Sequence, residues 1–430
     1  MQTNSKIDLI AEKAKQDKKL VFNSLAHLIN KESLMESFKE LRKDAASGID
    51  GVTYKEYENN LEENIDNLVS RMKAKQYKPQ AVRRAYIPKP GKDERRPLGI
   101  PTIEDKLVQM VIKKILVAIF EADFLPSSHG YRPARSCHTA IKELNSVILG
   151  KPVHYIDEVD IRKFFDRVSH GWLLTCLEQR IADRNFLAII KSFLKAGAME
   201  DGIFKQTEQG TPQGGIISPV LGNIFLHFVL DLWFEKKYKP QAKGCVELVR
   251  YCDDFVVACE LQADAAEFLE LVKQRLAKFD MEVSQEKTRI LEFSRKVWKP
   301  ERKGMSFNFL GFTHAHRLTL KGMVTVGLFT SKVSLNKGLK LLNTWLKKVR
   351  NIMPLKSIMD GLRTRMQGHF NYFGINGNYA KICKFYRVVK RLLLKWLNRR
   401  GSRKITWDLY ENMWQTAKLP KPRIYQPILW

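Results

Sequence analysis

The sequence has no uninterrupted apolar run near the roughly 18 residues that a membrane-spanning helix needs, although 44% of its 430 residues are hydrophobic. A helical membrane span is therefore excluded, whereas a folded core is not. The first twenty residues, MQTNSKIDLIAEKAKQDKKL, lack the apolar centre of a secretion signal. Cysteine is scarce: residues 137, 176, 245, 252, 259 and 383 show no Cys-Xaa₂-Cys spacing and no histidines at zinc-ligand intervals. That excludes a zinc module or a disulfide scaffold, and free thiols suit a reducing compartment. The expectation is a soluble, cytoplasmic protein with no membrane partner. Acidic residues are also short, with 46 Asp and Glu against 74 Lys and Arg and a net charge of +28. Such a balance favours a polyanionic partner, and nucleic acid fits best. The deficit is deepest over Ser331 to Trp430, where 22 Lys and Arg face three acids.

The acids that remain are placed in a telling way. In Leu248 to Cys259, LVRYCDDFVVAC, two apolar runs pinch Tyr251-Cys252-Asp253-Asp254, a pattern that predicts a β-hairpin with two carboxylates at its tip. Adjacent aspartates repel and belong poorly between β-formers unless a cation compensates them. Mg²⁺ favours hard oxygen ligands, uses one or two carboxylates and completes its shell with water and phosphate. A third carboxylate joins them. In Val153 to Ile161, VHYIDEVDI, the odd positions are apolar except for Asp157, which puts Asp160 on the other face of a half-buried strand. If this strand pairs with the hairpin, three aspartates converge, and two metal ions held there can drive an in-line phosphoryl displacement.

Tyr-Xaa-Asp-Asp after an upstream Asp-Xaa₄-Phe-Asp strand resembles the reverse transcriptases, and the residues between look like the bacterial group II intron branch. The resemblance continues through RRAYIPKPGKDERRPLGIPTIEDK (83 to 106), SSHGYRPARSCHTA (127 to 140), QGTPQGGIISP (209 to 219) and FLGF (309 to 312). It covers roughly residues 25 to 400 in the expected order. It implies an α+β right-hand polymerase, with fingers and palm on an antiparallel sheet and a helical thumb. The implied divisions are an N-terminal extension (1–45), fingers and palm (46–330), a thumb or maturase domain (331–400) and a short basic segment (401–430). No cluster after Gly401 resembles the His-Asn-His nuclease that many relatives append.

The implied activity is RNA-directed DNA synthesis, with Asp160, Asp253 and Asp254 holding two Mg²⁺ ions. The implied partners are an RNA template, intron RNA, a DNA primer or target and dNTPs, with roles in splicing and retrohoming; oligomeric state stays open. Nucleotide contacts fall to Lys89 and Arg96 on a cationic hairpin, Phe165 beneath the sugar, Gln213 in a glycine-rich loop and Lys287 beside the triphosphate. Arg132 and Arg135 are assigned phosphate or template contacts. Phe309, Leu310 and Gly311 resemble the primer grip. Lys384, Arg387, Lys390, Arg391 and Lys395 lie on a predicted helix that is apolar along Tyr386, Val389, Leu392 and Trp396 and cationic opposite, a face suited to RNA phosphates. Two other readings fit the same motifs: a domesticated enzyme of repair or phage defence, and a splicing factor that binds RNA without catalysis. Cys252 departs from the usual Ala, a change that bears either on fidelity or on sensitivity to oxidation.

The spacing also predicts a helix over residues 54–75. It further predicts a helix opened by Ser218 as N-cap with Pro219 first in line, and another over residues 264–278 capped by Asp264.

Overall fold

Runs with period two become strands and runs with period 3.6 become helices in a computed structural model. It describes residues 3–88, 95–200, 203–205, 209–211, 214–296, 299, 305–319, 321–401 and 404–428. Along the chain the described strands are β1 (Val82–Pro88), β2 (Arg95–Ile100), β3 (Tyr155–Asp160), β4 (Ala198–Glu200), β5 (Ile203–Lys205), β6 (Val246–Tyr251), β7 (Asp254–Cys259), β8 (Arg289–Glu292), β9 (Ser306–Phe309), β10 (Phe312–Leu318) and β11 (Val324–Thr330). They form three sheets, in the orders β2-β1-β4-β5, β6-β7-β3-β8 and β11-β10-β9. The pairs β1-β2, β4-β5, β9-β10 and β10-β11 are antiparallel, while β1 and β4 run parallel. The expected mixture of helix and antiparallel sheet is the architecture found.

The chain divides into two compact units, residues 1–140, 157–257 and 263–289, and residues 141–156, 258–262 and 290–430. The first is built on the helix Ile103–Phe120, whose start is capped by the Thr102 hydroxyl accepting from the Asp105 N–H. Ile103, Leu107, Val108, Val111, Ile112, Ile115, Leu116, Ile119 and Phe120 are all buried, so the helix is covered on most sides. The span 54–75 is two helices, Tyr54–Asn59 and Leu61–Lys73, broken at Asn60. Ser218 is already helical in Ser218–Leu226, with Ile217 as the cap and Pro219 one place further in. That helix widens into a π turn, His227–Asp231, which ends on the buried Asp231. Asp264 is not a cap either. The helix begins at Gln262, and the buried Asp264 carboxylate accepts from the Lys243 and Gly244 N–H groups at 3.1 and 2.8 Å.

The second unit carries the β9-β10-β11 sheet and a helical core from Lys332–Val349, Leu355–Phe373, Tyr379–Leu397 and Trp407–Thr416. Leu342, Leu362, Phe370, Phe385, Val389, Leu393, Tyr410 and Trp414 fill that core. Val389 and Trp396 are buried, and Tyr386 and Leu392 pack beside them, so the apolar stripe read from the sequence is the packed one.

In β3 the inward register set by Val153, Val159 and Ile161 also carries Asp157, whose side chain is fully buried. Burial pushes its carboxyl from 3.8 up to about 8. A group whose folded value is raised stabilises the fold fully below its unfolded value, and that contribution is lost as pH rises through the folded one. Asp157→Asn, neutral at every pH, should therefore melt above wild type at pH 8, with the gap closing toward pH 4. Melts across that window should show a gap of several degrees at pH 8 that shrinks steadily toward pH 4. A gap independent of pH would contradict a buried protonated carboxyl.

Candidate active site

β6 and β7 are neighbours in their sheet and only Cys252-Asp253 joins them, so the predicted hairpin is present with its carboxylates at the tip. A two-residue link between twisted strands needs left-handed backbone, normally supplied by glycine. Here Cys252 supplies it, with φ 58°. Asp253 is half-buried and Asp254 is exposed. The Cys252 thiol is buried, and burial together with the adjacent Asp253 holds its pKa well above the ordinary value. A buried, protonated thiol reacts poorly, so the sensitivity to oxidation expected of this cysteine is not supported.

Asp160 is the last residue of β3, and β3 is the neighbour of β7. Beyond it the chain is clasped by a later segment. Ile161 bridges to Val283, and the Ser284 N–H donates to the Asp160 carbonyl at 2.8 Å. This lays Lys287 over the carboxylate, with its Nζ 2.9 Å from both Asp160 oxygens. The lysine side chain is 60% exposed, so the pair is screened by water and worth no more than about 1 kcal/mol.

After Ile161 the backbone turns left-handed at Lys163, φ 49°, and enters a short helix, Phe164–Arg167. Strand alternation therefore does not govern the two phenylalanines. Phe164 is buried near Phe225, with ring centroids 6.2 Å apart, while Phe165 is half-buried. Gly222 makes room for both rings, since a Cβ there would lie 3.0 Å from Phe164 and 3.2 Å from Phe165. Gly210, at φ 88°, comes so near that a Cβ would meet the Phe165 and Asp166 carbonyls at 2.8 Å. The Thr211 N–H donates to the Phe165 carbonyl at 2.7 Å.

These pieces share one cleft of about 1960 Å³ within the first unit, lined by Asp160, Phe165, Gly214, Tyr251, Asp253, Asp254 and Lys287, among others. That exceeds the roughly 300–1,000 Å³ of a small-ligand pocket. Among the described residues no three His, Cys, Asp or Glu side chains are gathered closely enough to enclose an ion. The donor chemistry nonetheless fits a hard divalent cation. All three groups are carboxylates, and Asp160 already holds a cation, the Lys287 ammonium, in both of its oxygens.

Other expected site residues fall elsewhere. Lys89 and Gln213 lie outside the described residues; Arg96 pairs with Ile87 through the β1–β2 ladder. Phe309 ends β9 and Leu310-Gly311 form the β9–β10 turn of the second unit, both left-handed, with the Tyr372 hydroxyl donating to the Leu310 carbonyl at 2.8 Å. Lys384, Arg387, Arg391 and Lys395 are exposed on Tyr379–Leu397, whereas Lys390 is half-buried, ion-paired with Glu411 and set over the Trp407 and Trp414 rings. The template role expected of Arg132 is overturned. Its buried guanidinium grips Glu121 at 2.7 Å and the carbonyls of Leu125 and Ser128 at 2.7 and 2.6 Å. Arg135 donates to the Pro126 carbonyl at 3.0 Å. Arg250, two residues before the carboxylate turn and fully buried, belongs to no motif of the sequence. The available signal was a cation in register with Val246 and Leu248 on a covered strand face.

The family description "Reverse transcriptase (RNA-dependent DNA polymerase)" matches residues 87–314, more than half of the chain and the part that contains all three aspartates. Group II intron-encoded protein LtrA of Lactococcus lactis subsp. cremoris is 30% identical over 90% of this chain and 76% of its own length. The putative COX1/OXI3 intron 1 protein of Saccharomyces cerevisiae is 31% identical over 52% of this chain and 27% of its own length. Nuclear intron maturase 1, mitochondrial, of Arabidopsis thaliana is 35% identical over 22% of this chain and 13% of its own length. The class is thus that of RNA-directed DNA polymerases, enzymes that work with divalent metal ions. The chain belongs to the group II intron-encoded reverse transcriptases. Among the described residues no helix is long and apolar enough to cross a membrane.

Proposed function

We propose that this enzyme copies RNA into DNA inside the cell with Asp160, Asp253 and Asp254 as its catalytic carboxylates, and that it assists splicing and retrohoming of an intron RNA. In this reading residues 46–330 are the fingers and palm of a right-hand polymerase and residues 331–400 its helical thumb and maturase surface. Residues 1–45 are an N-terminal extension and 401–430 a short basic segment. The observation that carries the reading is the opening of all three aspartates, from neighbouring strands, into one cleft alongside Phe165 and Lys287.

The three carboxylates would hold two Mg²⁺ ions, which when bound supply the charge that activates a primer 3′-hydroxyl and stabilises the leaving oxygen. The hydroxyl attacks the α-phosphate of a dNTP in line, and pyrophosphate leaves. Lys287, released from Asp160, is then free to neutralise the departing pyrophosphate. Phe165 closes the sugar site, where a 2′-hydroxyl would meet a ring and no hydrogen-bond partner. Lys89, Arg96 and Gln213 complete the nucleotide contacts, and Phe309, Leu310 and Gly311 serve as primer grip.

Asp160→Asn and Asp253→Asn each remove an anionic ligand at nearly constant volume. Primer extension on an RNA template should fall below about a tenth of wild type at saturating Mg²⁺, with RNA affinity nearly unchanged. Extension above that level would remove these residues from the chemistry.

Phe165→Ala should raise ribonucleotide over deoxynucleotide insertion by more than roughly tenfold, the equivalent of about 1.4 kcal/mol. Phe164→Ala should instead destabilise the fold by about 3–5 kcal/mol. Single-nucleotide insertion kinetics with unchanged selectivity in Phe165→Ala would refute the gate.

Neutralising Lys384, Arg387, Arg391 and Lys395 together should lower the slope of log affinity for structured RNA against log salt by roughly 3, because each phosphate contact releases counterions. Lys390 is left in place because Glu411 and two tryptophans already engage it. An unchanged slope would mean that this face is only solvated surface.

A further inference from the structure

We propose that Arg250 is the positioning residue of the active site: a buried guanidinium that fixes the backbone of the carboxylate turn from below. The proposal rests on the assignment of Asp253 and Asp254 as catalytic.

Arg250 and Asp231 both have fully buried side chains. All five guanidinium N–H groups are engaged. Nε donates to Asp231 Oδ1 at 2.7 Å, and Nη2 donates to Asp231 Oδ2 and to the Ser128 hydroxyl at 2.8 Å. Nη1 donates to Asn223 Oδ1 at 3.0 Å and to the Cys252 carbonyl at 2.9 Å. The last bond is the informative one, because Cys252 is the left-handed residue of the turn. A non-glycine residue held there costs on the order of 1–2 kcal/mol and persists only where its surroundings over-determine it.

The surroundings close a ring around that peptide. Gly130 lies so near that a Cβ would stand 2.5 Å from the Cys252 nitrogen. The Asn223 amide donates to the Gly130 carbonyl while its oxygen accepts from Arg250. Main-chain bonds tie the same segment to β6, with the His129 N–H donating to the Arg250 carbonyl at 2.9 Å and the Arg250 N–H to the Ser127 carbonyl at 2.8 Å. The Cys252 peptide is thus held from two sides, and Asp253 follows it directly.

A buried ion pair is poor at adding net stability, since desolvation offsets most of the attraction. What a saturated five-donor fork does provide is a single geometry. Lysine, with three donors and no planar fork, keeps the charge but cannot reproduce it.

The test uses the full chain and begins with Asp253→Asn, which must abolish extension if the underlying assignment is right. Arg250→Lys is then compared with wild type in single-turnover primer extension across a Mg²⁺ titration, well below its measured melting temperature. The expected result is a rate at least tenfold lower and a half-saturating Mg²⁺ concentration several-fold higher, with RNA affinity changed less than twofold. Asn223→Ala, which leaves the Arg250–Asp231 pair whole, should move both parameters the same way by a smaller factor. It decides alone if Arg250→Lys does not fold. A folded variant with wild-type rate and Mg²⁺ dependence would overturn the positioning role. Full activity in Asp253→Asn would instead overturn the site assignment and leave Arg250 a plain structural residue.

Discussion

Asp160, Asp253 and Asp254, proposed above as the catalytic carboxylates, open into one cleft, and like charges that share a cleft call for nearby cations. Two of them are adjacent in sequence, on a turn whose first residue stands at φ 58°. Strand propensity favours neither. The cleft side is compensated by Lys287, whose ammonium sits in both oxygens of Asp160. The protein side is compensated by geometry, through a buried arginine fork that grips the turn's own carbonyl. The two cations do different work. Lys287 is exposed and screened by water, whereas Arg250 is fully buried and all five of its donors are engaged.

The same division explains how much could be read from the sequence. The hairpin, the strand ending in Asp160 and the inward turn of Asp157 follow from period-two alternation, a property of residues close together in the chain. Phe164 and Phe165 could not be separated by alternation because Lys163 leaves the strand conformation and starts a helical turn. Ser218 and Asp264 resemble N-caps in composition. Each helix begins at least one residue earlier than that pattern suggests, and the Asp264 carboxylate serves the loop at Lys243 and Gly244 instead. The Arg250 network was invisible for a stronger reason. Its side-chain partners are 19, 27 and 122 residues away, so no local window contains the network. Arg132 misled for the opposite reason: in a sequence a cation on a loop looks available, and here it is buried among acceptors.

In the second unit the apolar spacing was a good guide and the cationic positions a partial one. The apolar residues of Tyr379–Leu397 face the core as their spacing requires. The cations are not equivalent, however. Lys390 shares its helix with four exposed neighbours, yet its stem and ammonium are taken up by Trp407, Trp414 and Glu411. It belongs to the packing of the terminal helix, since long cationic side chains cover apolar surface as readily as they bind anions.

The central proposal is that Asp160, Asp253 and Asp254 together take divalent ions, and that Lys287 occupies Asp160 until those ions arrive. Anomalous diffraction from crystals of the enzyme with Mn²⁺, an RNA template, a DNA primer and a non-hydrolysable dNTP tests this directly. The account predicts metal peaks beside Asp160 and the Asp253-Asp254 turn, with Lys287 moved off Asp160 toward the phosphates. Metal bound elsewhere, or Lys287 still paired with Asp160 in the full complex, would contradict it.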